Sequence, residues 1–278
     1  MQAKFVDVAG VRTRYLYAGA GNKKALLLIH GSGLAAESWM RNIDALGEQF
    51  AVYAPDNLGH GFTDAIDLGA GIPQPHTARH LARFMETIGI ERYAAAGSSY
   101  GALIAGLMYF DHPNRLEQLI LIGSSSVFDR DEVYRKALAG AYANATSALA
   151  NPTLETCRKR MANAVYDVAC VPEGLLLMQL TQYAQPDRLD FYIRANRNRS
   201  EAAGKDDARI LGKLEQIHIP TLIITGKQDK RADWEATQAG VRRIPHAELH
   251  LFDKCGHLPY LEHPNEFNAL VTEFLRRF

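Results

Sequence analysis

Hydrophobic residues recur along this chain in two alternating rhythms. Short, largely apolar runs lie at residues 25–29, 51–54, 93–96, 119–122, 221–224 and 249–252, the first of them continuous. A strand has this composition when both of its faces are covered, as in a parallel sheet. Residues 4–8 and 11–17 flank Ala9-Gly10 and predict a hairpin-like, antiparallel edge. Helix-spaced patterns fall between the runs. Residues 77–88 carry Leu81, Phe84, Met85 and Ile88 at steps of three and four, one face of a helix. Residues 102–110 are apolar nearly all round, which predicts a buried helix. Phe267, Leu270, Val271, Phe274 and Leu275 make the apolar face of a last helix. The alternation predicts an α/β fold: a mostly parallel eight-stranded sheet with helices on both faces.

The rhythm breaks over residues 128–209, where no buried strand is evident. This stretch predicts several amphipathic helices interrupted at Pro152, Pro172 and Pro186, with a polar hinge over 200–207. The expected organisation is an α/β core of residues 1–127 and 210–278, with 128–209 inserted as a helical cap.

Composition narrows the class. Lys plus Arg number 31 and Asp plus Glu number 31, so the net charge is zero and no basic stripe points to nucleic acid. The three cysteines, Cys157, Cys170 and Cys255, form no disulfide framework and fit a reducing compartment. Residues 1–10 lack the apolar region of a secretory signal, and no apolar run is long enough to span a bilayer. A soluble cytoplasmic protein is expected. It would act on a small molecule, without nucleic-acid or membrane partners, with a homodimer as the candidate assembly. The ten histidines are scattered without metal-ligand spacing, so neither metal nor cofactor is expected.

Chemistry concentrates after the strands. Gly97-Ser98-Ser99-Tyr100-Gly101 matches G-x-S-x-G between a predicted strand and a predicted helix, the context in which a sharp turn lifts a serine hydroxyl above the sheet. Serine needs a base at neutral pH. In such folds the partners follow in the order serine, acid, histidine. Asp229 follows the 221–224 strand and His257 follows the 249–252 strand, so both emerge where ligands bind in open α/β sheets. Asp233 competes with Asp229, which could instead cap a helix, and His263 competes with His257. Ser99 is thus the candidate nucleophile, His257 its base and Asp229 the orienting acid. The turn after residue 29 can aim the backbone N–H of Ser32 at an oxyanion, with the N–H of Tyr100 as second donor. His30 is expected to brace that loop, and residues 56–61 to form a structural turn.

These residues together resemble the α/β-hydrolase superfamily over essentially the whole chain, and most of all its meta-cleavage-product hydrolases. The likeness rests on His30-Gly31, Glu37-Ser38-Trp39 with Asn42, the 56–61 turn, the serine motif, Val165-Tyr166-Asp167 and the stretch from His246 through His257 to Pro264. That group cleaves a C–C bond in vinylogous diketones. The chain differs from it at Ser98, where the group has Asn, at Leu258, where it has an aromatic, and at Gln179, which stands at the register of an arginine that binds the substrate carboxylate. The resemblance implies Gly33, Trp39, Tyr142, Gln179, Tyr183 and Leu258 as substrate-binding residues, with Arg188 or Arg194 as substitute cations. Given these departures the leading expectation is a carboxylic ester hydrolase of small apolar substrates. C–C hydrolysis is the alternative, and a ligand receptor that retains the triad is a third.

Overall fold

The computed structural model describes residues 1–203, 205 and 208–278. Its strands are β1 (Gln2–Val8), β2 (Val11–Ala18), β3 (Ala25–Ile29), β4 (Ala51–Pro55), β5 (Tyr93–Ser98), β6 (Leu116–Ile122), β7 (Thr221–Gly226) and β8 (Ala247–Phe252). They form one sheet in the order β1-β2-β4-β3-β5-β6-β7-β8. β1 and β2 pair antiparallel, as do β2 and β4; every other pairing is parallel.

The longer helices are α1 (Pro73–Thr87), α2 (Tyr100–Asp111), α3 (Asp131–Ala150), α4 (Leu154–Ala162), α5 (Glu173–Tyr183), α6 (Arg188–Glu201), α7 (Trp234–Val241) and α8 (Pro264–Arg276). The pleat of the sheet sorts its apolar side chains between two cores. Leu27, Ile29, Ala95, Leu121 and Ile223 pack against α1 and α2 on one face. Leu26, Leu28, Ala96, Ile120 and Ile224 face the other way, toward Phe267, Val271 and Phe274 of α8. Each such fully buried large side chain contributes about 1.5–3 kcal/mol. One element starts earlier than its pattern predicts: α1 begins at Pro73, four residues before Thr77. Prolines are tolerated in a first turn, where the backbone N–H has no intrahelical partner anyway.

Between β6 and β7 the described residues contain helices and turns but no strand. Pro152, Pro172 and Pro186 each lie between two consecutive helices of the run α3 to α6. We call this segment the cap. Of the predicted hinge over 200–207, α6 runs to Glu201, while residues 204, 206 and 207 lie outside the described residues. No helix among the described residues is long and apolar enough to cross a membrane.

Three contacts seat the cap on the loop after β3. The Tyr183 hydroxyl donates to the Gly33 carbonyl at 2.6 Å, and Arg160 Nη2 donates to the Ser32 carbonyl at 3.0 Å. The Ser32 and Tyr192 hydroxyls lie 3.4 Å apart. The cap therefore covers the carboxyl end of the sheet, where ligands bind in this architecture.

Candidate active site

Ser99 occupies the turn from β5 into α2 with φ 55° and ψ −114°, a conformation that L-residues rarely adopt. The turn holds because its glycines allow close backbone packing. A Cβ on Gly97 would lie 2.1 Å from the Gly101 carbonyl oxygen, and one on Gly101 would lie 2.2 Å from that of Ile29. Ser99 N–H donates to the Ile122 carbonyl at 2.7 Å, and Ser124 Oγ donates to the Ser99 carbonyl at 2.9 Å. These contacts fix the backbone and leave the half-buried Ser99 side chain free to react.

His257 Nδ1 lies 2.7 Å from Asp229 Oδ2. The other oxygen, Oδ1, accepts the N–H groups of Arg231 at 2.7 Å and Ala232 at 3.2 Å. Both oxygens of the carboxylate are therefore engaged. With Nδ1–H donating to Asp229, the neutral ring presents the Nε2 lone pair as a base. The rivals are occupied elsewhere. Asp233 caps α7, accepting the Glu235 N–H at 2.9 Å, and the His263 ring meets the Lys254 carbonyl on the surface.

Ser99 and His257 line one chamber with Ser32, Leu34, Arg160, Met161, Arg231 and Leu258. The N–H groups of Ser32 and Tyr100 have no hydrogen-bond partner among the described residues, as oxyanion donors require. His30 is wholly buried. Its Nδ1 donates to the Gly31 carbonyl at 2.8 Å and its Nε2 accepts the Asn57 N–H at 2.9 Å. One donor and one acceptor define a neutral ring, and burial lowers its pKa to about 4. Asp56 closes the following turn by accepting the N–H groups of Ala36 and Phe62 and an Arg14 guanidinium. Burial raises its pKa to about 6, although Arg14 opposes the shift.

A second small cavity adjoins the first across Leu34 and is lined by Gly33, His60, Gln182, Tyr183, Arg188 and Tyr192. Arg188 is the inward cation: its Nε is buried without a partner and its Nη1 donates to the Thr63 carbonyl at 3.3 Å. Arg194, expected as an equal candidate, is exposed. The two stand six residues apart on α6, which at 3.6 residues per turn turns them about 240° apart, so only one can face inward. Gln179 sits one layer back, its amide near Met161 Sδ at 3.9 Å. Tyr142 also stands behind the wall, stacked on Tyr192 at 6.1 Å between ring centroids. Trp39 lines none of these cavities. It is fully buried in the core, stacked on Tyr260 at 4.0 Å, so the expectation that it touches substrate is corrected.

Two site residues escaped the sequence reading. Arg160 is 4% exposed with Nε and Nη1 buried and unpartnered, and Arg231 enters the same chamber beside Asp229. Burial, and then the nearby Arg160, lowers the Arg231 pKa to about 10. The signal for Arg160 was its place on α4: it shares a face with buried Cys157 and Met161, at a helical spacing that otherwise marks core. No cluster of three or more His, Cys, Asp or Glu that could hold a metal occurs among the described residues.

This geometry, a serine on a strained strand-to-helix turn lining one chamber with a histidine that is paired to an acid, the two following later strands, defines the class. The profile of the alpha/beta hydrolase fold family matches residues 24–264, and the chain belongs to that family. Within it the chain is similar to the 2-hydroxy-6-oxononadienedioate/2-hydroxy-6-oxononatrienedioate hydrolase of Burkholderia vietnamiensis, 31% identical over 99% of this chain and 96% of that protein. The hydrolase of the same description from Klebsiella pneumoniae is 30% identical over 98% of this chain and 94% of that one. Among solved structures, a meta-cleavage product hydrolase from Pseudomonas fluorescens superposes with a TM-score of 0.80 at 26% identity, covering 99% of this chain and 97% of that one. A membrane phospholipase A superposes with a TM-score of 0.85 at 23% identity, covering 99% and 86%, which speaks for the shared fold alone. The protein is a serine hydrolase of the α/β-hydrolase fold.

Proposed function

We propose that this hydrolase cleaves a C–C bond in an acidic, vinylogous diketone of the ring-fission type, in place of the ester reading favoured by sequence. The observation that carries the proposal is the pair of inward guanidiniums, Arg160 and Arg188: each holds one backbone carbonyl, and Nε and Nη1 of Arg160 and Nε of Arg188 stay buried with no partner. Each buried donor left unpaired costs about 1–3 kcal/mol. A neutral ester would leave that cost standing, whereas a substrate carboxylate removes it. The similarity to the dienedioate hydrolases supports the same reading.

In this scheme Ser99 Oγ attacks the ketone carbonyl while His257 Nε2 takes its proton and Asp229 stabilises the resulting imidazolium. The N–H groups of Ser32 and Tyr100 hold the tetrahedral oxyanion. This requires the 2-hydroxydienoate to have ketonised first, its hydroxyl proton exchanged for one on the carbon beside the ketone; collapse then breaks the bond to that carbon and expels it as an enolate conjugated with the 2-oxo acid, and His257 returns the proton. Water then attacks the Ser99 ester, with His257 as base again, and releases the second acid. The test compares kcat/KM for 2-hydroxy-6-oxononadienedioate with that for p-nitrophenyl esters of graded length. A preference of at least about 10²-fold for the dienoate is expected. A preference for any neutral ester overturns the proposal.

A further inference from the structure

The histidine loop is bonded to the cap through its backbone. His257 N–H donates to the Ala164 carbonyl at 2.7 Å. Glu262, in the turn that follows the loop, gathers three more N–H groups on one carboxylate. It accepts Gly256 at 3.0 Å on both oxygens, Leu258 at 3.1 Å and, from the cap, Tyr166 at 2.6 Å. Gly256 and Leu258 flank His257, so the carboxylate grips the histidine's own peptide units and the cap together. The approach is tight: a Cβ on Gly256 would lie 2.7 Å from Tyr166 N and 2.8 Å from the Ala164 oxygen. The same cap segment begins at Arg160, whose Nη2 holds the Ser32 carbonyl of the oxyanion loop. Residues 160–166 thus touch both loops that must be aligned for catalysis. The chamber they help line has a volume of about 20 Å³, room for roughly one water, so its walls, this segment among them, must move before substrate enters.

We propose that Glu262 is a positioning residue that couples cap closure to His257, so that the histidine reaches its working register only when residues 164–166 are seated. The proposal rests on His257 being the base of the reaction. Lifting the cap breaks the bonds to Ala164 and Tyr166 and frees the loop; reseating restores them around bound substrate. Chemistry is thereby confined to the closed, water-poor state.

Glu262→Gln keeps the side chain's shape but turns one acceptor into a donor facing backbone N–H groups. Misplacement of a catalytic group by about 1 Å costs on the order of 10²-fold. We expect kcat to fall by about that factor, with KM within about threefold. The rate at which a small organophosphate inactivates Ser99 should fall in parallel, because that reaction also needs His257. Melting temperature reports whether the variant folds. A folded Glu262→Gln enzyme with wild-type kcat overturns the proposal. Hydrogen exchange on the unmodified protein gives a test that needs no variant. The amides of Tyr166 and His257 should open together at one rate, and unrelated rates overturn the coupling. His257→Ala separates the two levels: if that variant turns over normally, the assignment of the base fails. If it is dead while Glu262→Gln is unimpaired, only the coupling fails.

Discussion

At the scale of single residues the site is a set of charges held where water is scarce. Arg160 in the chamber and Arg188 in the adjoining cavity test what the two are built to receive. Arg160→Met or Arg188→Met should lower kcat/KM for a dienoate by about 10- to 100-fold, the value of a hydrogen bond to a charged group. Activity on a neutral ester should hold or rise in Arg188→Met, whereas Arg160→Met should lower it as well, because Arg160 also holds the Ser32 carbonyl; steady-state kinetics on both substrates checks this. The buried histidines make a second prediction. Burial lowers the pKa of His30 to about 4 and that of His60 to about 3, against 6.5 in the unfolded chain. As pH falls, the unfolded chain takes up these protons first. The two rings therefore support the fold fully above pH about 6.5, and their contribution is lost as pH falls from there toward about 4 for His30 and about 3 for His60. Nitrogen-detected NMR should show both rings neutral at pH 5, and protonation of either ring there would contradict the burial argument. The triad candidates were legible in sequence because each follows a strand, and a strand's end fixes where its next residue emerges. Arg160 and Arg231 were not, because a charged side chain looks solvated in sequence until helix packing turns it inward. Trp39 was misplaced for the converse reason: an aromatic near a motif can serve the core beneath it.

At the scale of elements, the strands were readable because parallel strands buried on both faces leave apolar runs, as Ala25–Ile29 does throughout and Thr221–Gly226 does over its middle, 222–224. Order in the sheet and the cap's docking were not readable, since both depend on contacts between distant segments. The Tyr183 hydroxyl illustrates this: it crosses from α5 to the Gly33 carbonyl, next to a candidate oxyanion donor. Tyr183→Phe removes that one bond, worth about 0.5–1.5 kcal/mol, and leaves the ring packed. The expected result is a 2- to 10-fold drop in kcat/KM across all substrates, with unchanged ranking among them. A changed ranking would show that the hydroxyl meets substrate directly.

At the scale of the whole molecule, a catalytic chamber of about 20 Å³ stands against the roughly 300–1,000 Å³ of sites that hold drug-sized ligands. A substrate of that size therefore needs the walls of this chamber to move. Stopped-flow mixing with a dienoate should give an observed rate that saturates as substrate rises, the mark of a conformational step. A rate that stays linear to high concentration would show a permanently open path. The backbone of Ser99, held at φ 55°, carries a consequence for the stability of the entire fold. Such a conformation costs about 1–3 kcal/mol, and glycine, which adopts it freely, adds only about 0.5–1 kcal/mol of chain entropy. Ser99→Gly should accordingly melt above the wild type in calorimetry, while Ser99→Ala, which retains the strained Cβ, should not. Laboratory evolution toward heat resistance would then discard the nucleophile among its earliest gains unless turnover is scored in every round.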